Sequence, residues 1–332
     1  MKNNEQHPPI KFGKTGVLIV NLGTPDSTSW LDIRKYLKEF LSDKRVIEVN
    51  PIIWKLILNL FILNFRPSKT AKAYKKIWMK EENISPLLYY TKKQAEKLSE
   101  SMIQENLVID FAMRYGNPSI KSKILTLHNQ GCENLVILPL YPQYAAATTA
   151  TVCDEVYRCL MKMRWQPSLK IIPHYESDPM YIDALVNSIK KKINGINWKP
   201  DLIIASYHGI PKKYFDKGDP YHCYCHKTTR LISEKMNSIK IKTTFQSRFG
   251  PDEWLKPYTD KTLENLPKEG IKNILIICPG FSSDCVETLE EIYIEGKESF
   301  INSGGENFDI IPCLNDNDDH ISLLKSLIQG SI

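Results

Sequence analysis

The chain has 332 residues, of which 42% are hydrophobic and 25% are charged. This composition is typical of a soluble globular protein, and the length is sufficient for two domains with their own cores. The 44 basic and 38 acidic residues are interspersed and give a net charge of +6. So small an excess does not indicate a nucleic-acid-binding protein, although it fits weak attraction to an anionic membrane surface or ligand.

The eight cysteines are scattered without a regular disulfide spacing, which indicates a reducing compartment. The amino-terminal segment lacks the apolar core of a signal peptide, and no apolar run reaches the roughly 20 residues needed to span a bilayer. We therefore expect a cytoplasmic protein.

Eight short apolar runs predict β-strands. They are Val17–Leu22, Leu107–Met113, Asn134–Leu138, Leu169–Ile172, Leu202–Tyr207, Ile241–Gln246, Asn273–Cys278 and Phe308–Ile311. Amphipathic segments such as Thr91–Gln104 and Tyr181–Ile193 predict helices between most of these strands. Alternation of this kind predicts an α/β fold with parallel sheets.

Two pairs of similar segments indicate an internal duplication. GVLIVNLGTP at Gly16–Pro25 resembles LIIASYHGIP at Leu202–Pro211, and GCENLVIL at Gly131–Leu138 resembles GIKNILII at Gly270–Ile277. Both pairs occur in the same order along the chain. The sequence therefore predicts two similar doubly wound domains, each with a four-stranded parallel sheet flanked by helices.

We place the two domains at 14–165 and 166–332, with the carboxyl-terminal helix packing back onto the fold. The interval between the matched segments is about 47 residues longer in the first half than in the second. The first domain is thus expected to carry an insertion, at about 51–90, that the second domain lacks.

The insertion contains the most unusual segment of the chain, PIIWKLILNLFILNFRP. A helix is predicted that begins at Pro51 and ends at Pro67. Its apolar face comprises Ile52, Ile53, Leu56, Ile57, Leu60 and Phe61, extended by Trp54, Leu58 and Phe65, against a polar stripe of Lys55, Asn59 and Arg66. Such a helix lies either in the core or in a membrane interface, and the basic residues that follow it favour the interface.

His208 follows the predicted strand Leu202–Tyr207, in the motif SYHGIP. Ligands of open α/β sheets bind outside the carboxyl ends of the strands, and imidazole is the side chain that titrates near neutral pH. His208 is therefore a candidate catalytic residue. The alternative is a histidine that caps the strand through a backbone hydrogen bond.

A second cluster, CPGFSSDCVETLEEIYIE, follows the strand Asn273–Cys278. Ser282 or Ser283 is a candidate cap for a helix that starts near Asp284. On that helix the i, i+3, i+7 spacing predicts one acidic face, formed by Asp284, Glu287 and Glu291. This face is either a solvated acidic surface or, beside His208, a row suited to divalent metal delivery or proton removal.

Aromatic and cationic side chains follow the ends of other predicted strands. They are Arg114, Tyr115, Tyr141, Tyr144, Trp254 and Phe281. Such a set suits a flat apolar ligand that bears carboxylates, although each residue considered alone is better explained by packing.

The segment His222-Cys223-Tyr224-Cys225-His226 contains metal-binding residue types, but a zinc site needs four ligands, usually in two separated pairs. We predict a surface loop here. The dinucleotide fingerprint, the Walker A loop and the G-x-S-x-G elbow are absent from the sequence, which disfavours NAD enzymes, P-loop NTPases and α/β-hydrolases.

Several of these motifs together resemble the ferrochelatase family. They are NLGTP (21–25), SPL (85–87), MRYGNP (113–118), YPQY (141–144), SYHGIP (206–211), GDPY (218–221), FQSRFGPDEWLKP (245–257) and FSSDCVETLEE (281–291). The match runs from about Gly16 to about Ile311, in the family's order. The resemblance implies a class II chelatase-like fold with the porphyrin in a cleft between two similar domains.

The resemblance also implies an activity: a lyase that inserts Fe²⁺ into protoporphyrin IX to give protoheme, the last step of heme biosynthesis. The family's catalytic histidine and glutamate correspond to His208 and Glu287. Asp284 and Glu291 complete the family's acidic row, so the implied metal-binding set is His208, Glu287, Asp284 and Glu291. The implied porphyrin-binding residues are Leu22, Arg66, Ser85, Arg114, Tyr115 and Trp254.

The resemblance implies further that Pro51–Phe65, here called the apolar lip, borders the cleft and meets the inner membrane. We expect a cytoplasmic, peripherally membrane-associated enzyme with protoporphyrin IX and ferrous iron as substrates, no nucleic-acid partner, and possible transient contact with the preceding porphyrin-synthesis enzyme. No tightly bound cofactor is expected. The last cysteine is Cys313, which disfavours the carboxyl-terminal type of [2Fe–2S] cluster, and Cys223 with Cys225 supply too few ligands for an internal one.

Three points remain open in the sequence. Cys285 stands where some family members have a histidine, which questions a metal-relay role at that position. Coproporphyrin III is the alternative substrate, although the apolar lip and the segment GDPYHCYCH favour protoporphyrin IX. The rival functions are a porphyrin or metal carrier and a chelatase that inserts Co²⁺ or Ni²⁺ into another tetrapyrrole; the pairing of His208 with Glu287 disfavours the carrier.

Overall fold

The computed structural model of the protein describes residues 13–236 and 239–332. Within them, eight strands form two four-stranded parallel sheets with the orders β2-β1-β3-β4 and β6-β5-β7-β8. The strands are β1 (Lys14–Thr24), β2 (Leu107–Gly116), β3 (Cys132–Pro139), β4 (Ser168–Ile171), β5 (Leu202–His208), β6 (Ile241–Gln246), β7 (Asn273–Ile277) and β8 (Asn307–Ile311). All eight predicted strands are present, and the two sheets have the same topology, which confirms the two similar α/β halves.

Helices connect the strands and cover both faces of each sheet. They are α1 (Trp30–Leu41), α2 (Pro51–Ile57), α3 (Leu63–Ile77), α4 (Pro86–Ser101), α5 (Ile120–Asn129), α6 (Thr151–Leu160), α7 (Pro179–Gly195), α8 (Lys212–Asp216), α9 (Tyr221–Met236), α10 (Thr259–Asn265), α11 (Lys297–Asn302) and α12 (Asp318–Gln329). Leu58–Ile62, Ala146–Ala150 and Glu287–Gly296 are π-helical, and Leu266–Glu269 forms a 3₁₀ turn.

The central strands β1 and β5 are buried on both faces, as continuous apolar runs in parallel sheets are expected to be. Side chains alternate between two cores along β1: Val17 and Ile19 enter a core shared by both halves, whereas Leu18 and Val20 enter the core of the first half. Strand β5 supplies Ile203 and Ala205 to the same shared core. The two sheets are therefore held together by apolar packing as well as by the chain that joins them.

The boundary predicted after Trp165 lies too early. Strand β4 pairs in parallel with β3, with Leu135 opposite Leu169, so the first sheet extends to Ile171. Helix α7 then leads to β5, and α12 packs on both α7 and α4 of the first half. Lys325 Nζ donates to the Ser101 carbonyl at 2.8 Å, which links the end of α12 to the end of α4.

The lip helix begins at Pro51, as predicted, with Asn50 Oδ1 accepting from the Ile52 amide at 3.0 Å. The prediction that Pro67 ends this helix is wrong, because α3 continues to Ile77 with Pro67 inside it. A proline within a helix leaves the carbonyl four residues earlier without its donor. That carbonyl belongs to Leu63, and Arg34 Nε donates to it at 3.2 Å.

The apolar lip faces solvent. Ile52, Phe61 and Phe65 are 74%, 60% and 75% exposed, and Ile53, Leu56 and Leu60 are more than half exposed. Only the inner side of the segment, through Leu58 and Leu63, enters the core. The core-helix alternative is therefore wrong for the outer face. No helix in the described residues is long and apolar enough to cross a membrane.

The segment His222–His226 is helical, which corrects the predicted surface loop. It occupies the first two turns of α9, where Asp219 Oδ1 accepts from the Tyr221 amide at 3.0 Å. An aspartate followed by proline is as typical of a helix start as of a turn. The helical spacing of the buried residues further along α9 indicates the helix start. Cys225 faces the core, whereas Cys223 is exposed.

Replacing Arg34 with alanine is expected to lower the free energy of unfolding by about 1–2 kcal/mol, because the Leu63 carbonyl loses its donor. In a Pro67→Ala background the restored amide can bond to this carbonyl, so the loss should be smaller. Urea unfolding of the four proteins measures this difference, with Lys35→Ala as an exposed control. Equal losses in both backgrounds would contradict the exchange of donors.

Candidate functional site

His208 ends β5 and is half-buried at the carboxyl edge of the second sheet. Its Nδ1 lies 2.7 Å from the carbonyl oxygen of Gly209. A carbonyl only accepts, so in the neutral ring Nδ1 carries the proton and Nε2 has the free lone pair. The backbone hydrogen bond considered as an alternative is thus present, and it leaves the second ring nitrogen available as a base.

An aromatic wall continues from His208 toward the apolar lip. A Cβ atom at Gly209 would lie 3.2 Å from the Trp254 ring and 2.9 Å from the Gln246 carbonyl oxygen, so glycine permits this close approach. The Trp254 and Phe249 rings are 5.0 Å apart, and the Arg66 guanidinium lies 5.3 Å from the centroid of Phe249. The wall therefore contains residues of both halves.

The acidic segment does not form the predicted α-helical face. The helix begins at Val286 and is π-helical from Glu287 to Gly296, and Asp284 precedes it. A π-helix has roughly 4.4 residues per turn, so positions four apart, rather than three and seven, lie near one another. Neither Ser282 nor Ser283 caps this helix. Their hydroxyl groups instead accept hydrogen bonds from Asn21 and Gln94, across the boundary between the halves.

Asp284 is buried, and its carboxylate already has three donors. These are Asn315 Nδ2 at 2.7 Å, the Cys313 amide at 3.1 Å and Thr288 Oγ1 at 3.2 Å. Asp284 thereby ties the start of the π-helix to the segment after β8. Among the described residues no group of three or more His, Cys, Asp or Glu side chains is arranged to hold a metal ion. The structure therefore does not bring together the four implied ligands, His208, Asp284, Glu287 and Glu291, as one cage.

Glu291 is held by the loop that follows β6. The Ser247 amide donates to Oε1 at 2.7 Å, and the Ser247 hydroxyl donates to Oε2. Burial raises the pKa of Glu291, and the negative charge of Glu287 adds to this, while Ser247 and the nearby His208 act in the opposite direction. Glu291 is therefore a carboxyl group that can hold a proton more readily than an ordinary glutamate.

Glu287 reaches a small cavity between the halves, with room for about one water molecule. Leu22 and Ser85 of the first half line the same cavity, together with the buried thiol of Cys285. Ser85 also caps α4, since its Oγ accepts from the Leu88 amide at 3.2 Å. Leu22, Ser85 and Glu287, which are far apart in sequence, are therefore neighbours in the fold.

Arg114 and Tyr115 lie inside the first half. The Arg114 guanidinium pairs with the carboxylate of Asp43 and donates through Nε to the Thr151 carbonyl at 2.8 Å. The Tyr115 hydroxyl donates to the same Asp43 carboxylate at 2.9 Å, and the Tyr115 side chain is fully buried. In this arrangement both residues fix the segment that leads from α1 to the lip, and neither side chain is open to a ligand.

Glu291 also lines a larger cavity, of about 330 Å³. Ser247, Glu291 and Glu295 line it, and so do Arg248 and Asp260, which form an ion pair at 2.8 Å. Sequence reasoning missed Ser247 and Glu295. The repeat of glutamate at positions 287, 291 and 295 was the available signal, because residues four apart lie near one another on a helix.

Comparison with known proteins identifies the family of the chain. A sequence model of the ferrochelatase family matches residues 14–332. The chain belongs to the ferrochelatase family. It is 55% identical to the ferrochelatase of Allorhizobium ampelinum over 98% of this chain and 96% of that protein. It is 54% identical to the ferrochelatase of Rhizobium meliloti over 100% of this chain and 99% of that protein.

Family membership confirms the prediction drawn from the motifs. The protein is a porphyrin metal chelatase, a lyase of heme biosynthesis that inserts Fe²⁺ into protoporphyrin.

Solved structures confirm the fold class. SirB from Bacillus subtilis with Fe³⁺ superimposes with a TM-score of 0.56 at 12% identity and covers 96% of this chain and 95% of its own. CbiX, described as the terminal enzyme for biosynthesis of siroheme in denitrifying bacteria, gives a TM-score of 0.51 at 12% identity. The match covers 96% of this chain and 99% of CbiX. At such identities the likeness is one of fold: the ferrochelatase chain has the two-half architecture of class II chelatases.

Replacing Glu291 with glutamine is expected to stabilise the protein more near pH 8 than near pH 4. The raised pKa means that folding favours the protonated carboxyl, so the free energy of unfolding of the wild type falls as the pH rises from the ordinary value of 4.5 through the raised one. Glutamine keeps neutral hydrogen bonds with Ser247 throughout. Urea unfolding at both pH values, with Glu295→Gln as control, measures the effect, and a difference independent of pH would contradict it.

Proposed function

We propose that iron insertion by this enzyme depends on Nε2 of His208, which accepts the pyrrole protons. The neighbouring carboxyl groups of Glu287 and Glu291 are proposed to take part in carrying these protons away. A porphyrin must lose two N–H protons before it can bind a divalent metal. The supporting observation is the hydrogen bond from His208 Nδ1 to the Gly209 carbonyl, which orients the ring and leaves Nε2 unprotonated. A neutral imidazole is an effective general base near neutral pH.

Glu291 is suited to receive these protons. It is close enough to His208 for the two charges to influence each other, and its raised pKa lets it hold a proton transiently. From Glu291 the 330 Å³ cavity continues past Glu295. We infer that protons leave, and that Fe²⁺ approaches, through this acidic cavity, because weak oxygen ligands release Fe²⁺ readily to four porphyrin nitrogens.

The porphyrin face is proposed to lie along the wall of Trp254 and Phe249, with Arg66 near a substrate carboxylate. Leu22 and Ser85 lie beside Glu287 on the facing half. A planar macrocycle presents its nitrogen lone pairs poorly, so a cleft that binds a bent ring accelerates metallation. Protoporphyrin IX is the proposed substrate, and the apolar lip beside Arg66 supports it over the more acidic coproporphyrin III.

The enzyme is proposed to act without a tightly bound cofactor, with iron as a substrate. Cys223 is exposed while Cys225 is fully buried, so these two thiols point to different environments. That separation supports the expectation that they do not ligate a [2Fe–2S] cluster.

His208→Ala is expected to lower the rate of protoporphyrin metallation by about 10²-fold or more, because the pyrrole protons lose their acceptor. Anaerobic metallation with Fe²⁺ and with Zn²⁺, followed by absorbance, measures the rate. Zn²⁺ should be inserted as well, since oxygen and nitrogen ligands bind it more tightly than Fe²⁺. His174→Ala, which removes a histidine bonded to Glu176, is the matched control.

Porphyrin fluorescence should show that the His208→Ala protein still binds protoporphyrin IX. Full activity of this variant would remove His208 from the mechanism. Binding without turnover in the wild type would indicate the carrier instead.

We also propose peripheral attachment to the inner membrane through the apolar lip. The exposed side chains of Ile53, Leu56 and Phe61 form an apolar surface beside the cleft wall, and exposed lysines at 55, 69, 72 and 75 follow along the same helices. Apolar side chains flanked by lysines are typical of surfaces that bind anionic bilayers. A hydrophobic porphyrin could then pass from the membrane, or from the preceding enzyme of porphyrin synthesis, without crossing water.

The variant Ile53→Ser/Leu56→Ser/Phe61→Ser is expected to bind vesicles of anionic phospholipid at least about tenfold more weakly, since each removed side chain contributes about 1 kcal/mol or more. Flotation of the protein with phosphatidylglycerol vesicles measures the partition. Ile103→Ser/Met161→Ser, which removes two exposed apolar side chains outside the lip, is the control. Equal partition of the lip variant and the wild type would exclude the lip as the attachment surface.

A further inference from the structure

Two histidines lie one turn apart on α9, an element that carries neither His208 nor the acidic residues. His222 and His226 have the i, i+4 spacing that places side chains on one face of a helix. Their ring centroids are 4.4 Å apart, with 52° between the ring planes. The two imidazoles therefore share one patch of surface.

Aromatic side chains hold these rings in place. Phe245 of β6 stacks against His222 at 5.7 Å and contacts His226 at 6.1 Å, while Phe215 of α8 meets His222 edge-on at 5.2 Å. Phe245 is almost fully buried, so it is a fixed support. Rings that are oriented before binding lose less entropy when they bind a ligand.

The nitrogens of these two rings are available. Neither His222 nor His226 makes a hydrogen bond or an ion pair with another described side chain or backbone group, whereas His174, His208 and His320 each bond through Nδ1. Burial lowers the pKa of both His222 and His226, so their rings are neutral near pH 7. A neutral imidazole is the form that binds metal ions.

The ring separation fits a shared metal ion. With metal–nitrogen distances of about 2.1 Å and an angle of about 90–110° between the two bonds, the ring centroids would lie about 4.6–5.3 Å apart. The observed 4.4 Å differs from the lower limit by a few tenths of an ångström, which a small rotation about the side-chain bonds supplies.

We propose that His222 and His226 form a second divalent-metal site, separate from the chelation cleft. Imidazole pairs favour Cu²⁺, Zn²⁺ and Ni²⁺, with water in the remaining positions, and by the usual affinity order Fe²⁺ binds more weakly than these. The site therefore takes late first-row cations in preference to the iron substrate. His222 and His226 belong to α9, which packs on β6, whereas His208 ends β5, so the two sites are built from different elements.

Titration of the full-length protein with Cu²⁺ alone tests the site. Electron paramagnetic resonance of the first equivalent is expected to show coupling to two imidazole nitrogens, with Cu²⁺ bound more tightly than Zn²⁺ or Ni²⁺. His226→Gln should weaken binding of Zn²⁺ and Ni²⁺ by at least about tenfold, because one imidazole is left where two acted together. His222→Gln should have the same effect, and His128→Gln, which removes a histidine that meets Trp165 edge-on, should not.

Metallation of protoporphyrin should be unchanged in His226→Gln, and His208→Ala should retain the second site. His226 is exposed, so its substitution leaves the core intact, which circular dichroism checks. Wild-type affinity in both the His222→Gln and His226→Gln proteins would overturn the proposal, as would coupling to fewer than two nitrogens in the wild type. Loss of the second site together with full metallation activity would support it and leave the function of the cleft untouched.

Discussion

The site depends on a buried polar seam where the two halves meet. Gln94 Nε2 of α4 donates to the Asn315 carbonyl at 2.8 Å and to Ser283 Oγ at 3.1 Å, and Asn21 of β1 approaches Ser282 Oγ at 3.4 Å. Buried amides are costly when unpaired, so these bonds form in only one relative position of the halves. The apolar core that surrounds the seam supplies most of the attraction between the two halves, and the hydrogen bonds of the seam select their relative position.

The relative position of the two halves determines which side chains face each other across the cleft. Asp284 lies next to the seam and fixes the start of the π-helix, and Gln246 Nε2 donates to the Glu287 carbonyl at 2.8 Å and supports the same helix from β6. The glutamates are thereby held between His208 on one side and an acidic cavity on the other. Asp284, one of the predicted metal ligands, accepts three hydrogen bonds that tie the start of this helix to the segment after β8.

Much of the architecture could be predicted from the sequence. The eight strands and the duplicated order follow from apolar runs and repeated turns, which are local signals. His208 could be chosen because it follows a buried strand, whereas Glu287 was distinguished from Asp284 and Glu291 only by the resemblance to the family. The errors have a common cause. A proline at position 67 predicts a helix end, but the distant Arg34 replaces the lost donor. The spacing of Asp284, Glu287 and Glu291 predicts one face only with an α-helical period, whereas the segment is π-helical.

The sequence by itself determined the fold class, the family and the positions of the catalytic candidates along the chain, because these are recorded in residue order and spacing. Only the tertiary structure decided which nitrogen of His208 is free, that Arg114 and Tyr115 are buried against Asp43, and that the outer face of the lip is exposed. Each of these depends on a partner distant in sequence. Hydrogen-bond direction and burial arise only when the two halves pack together, and no local pattern contains them.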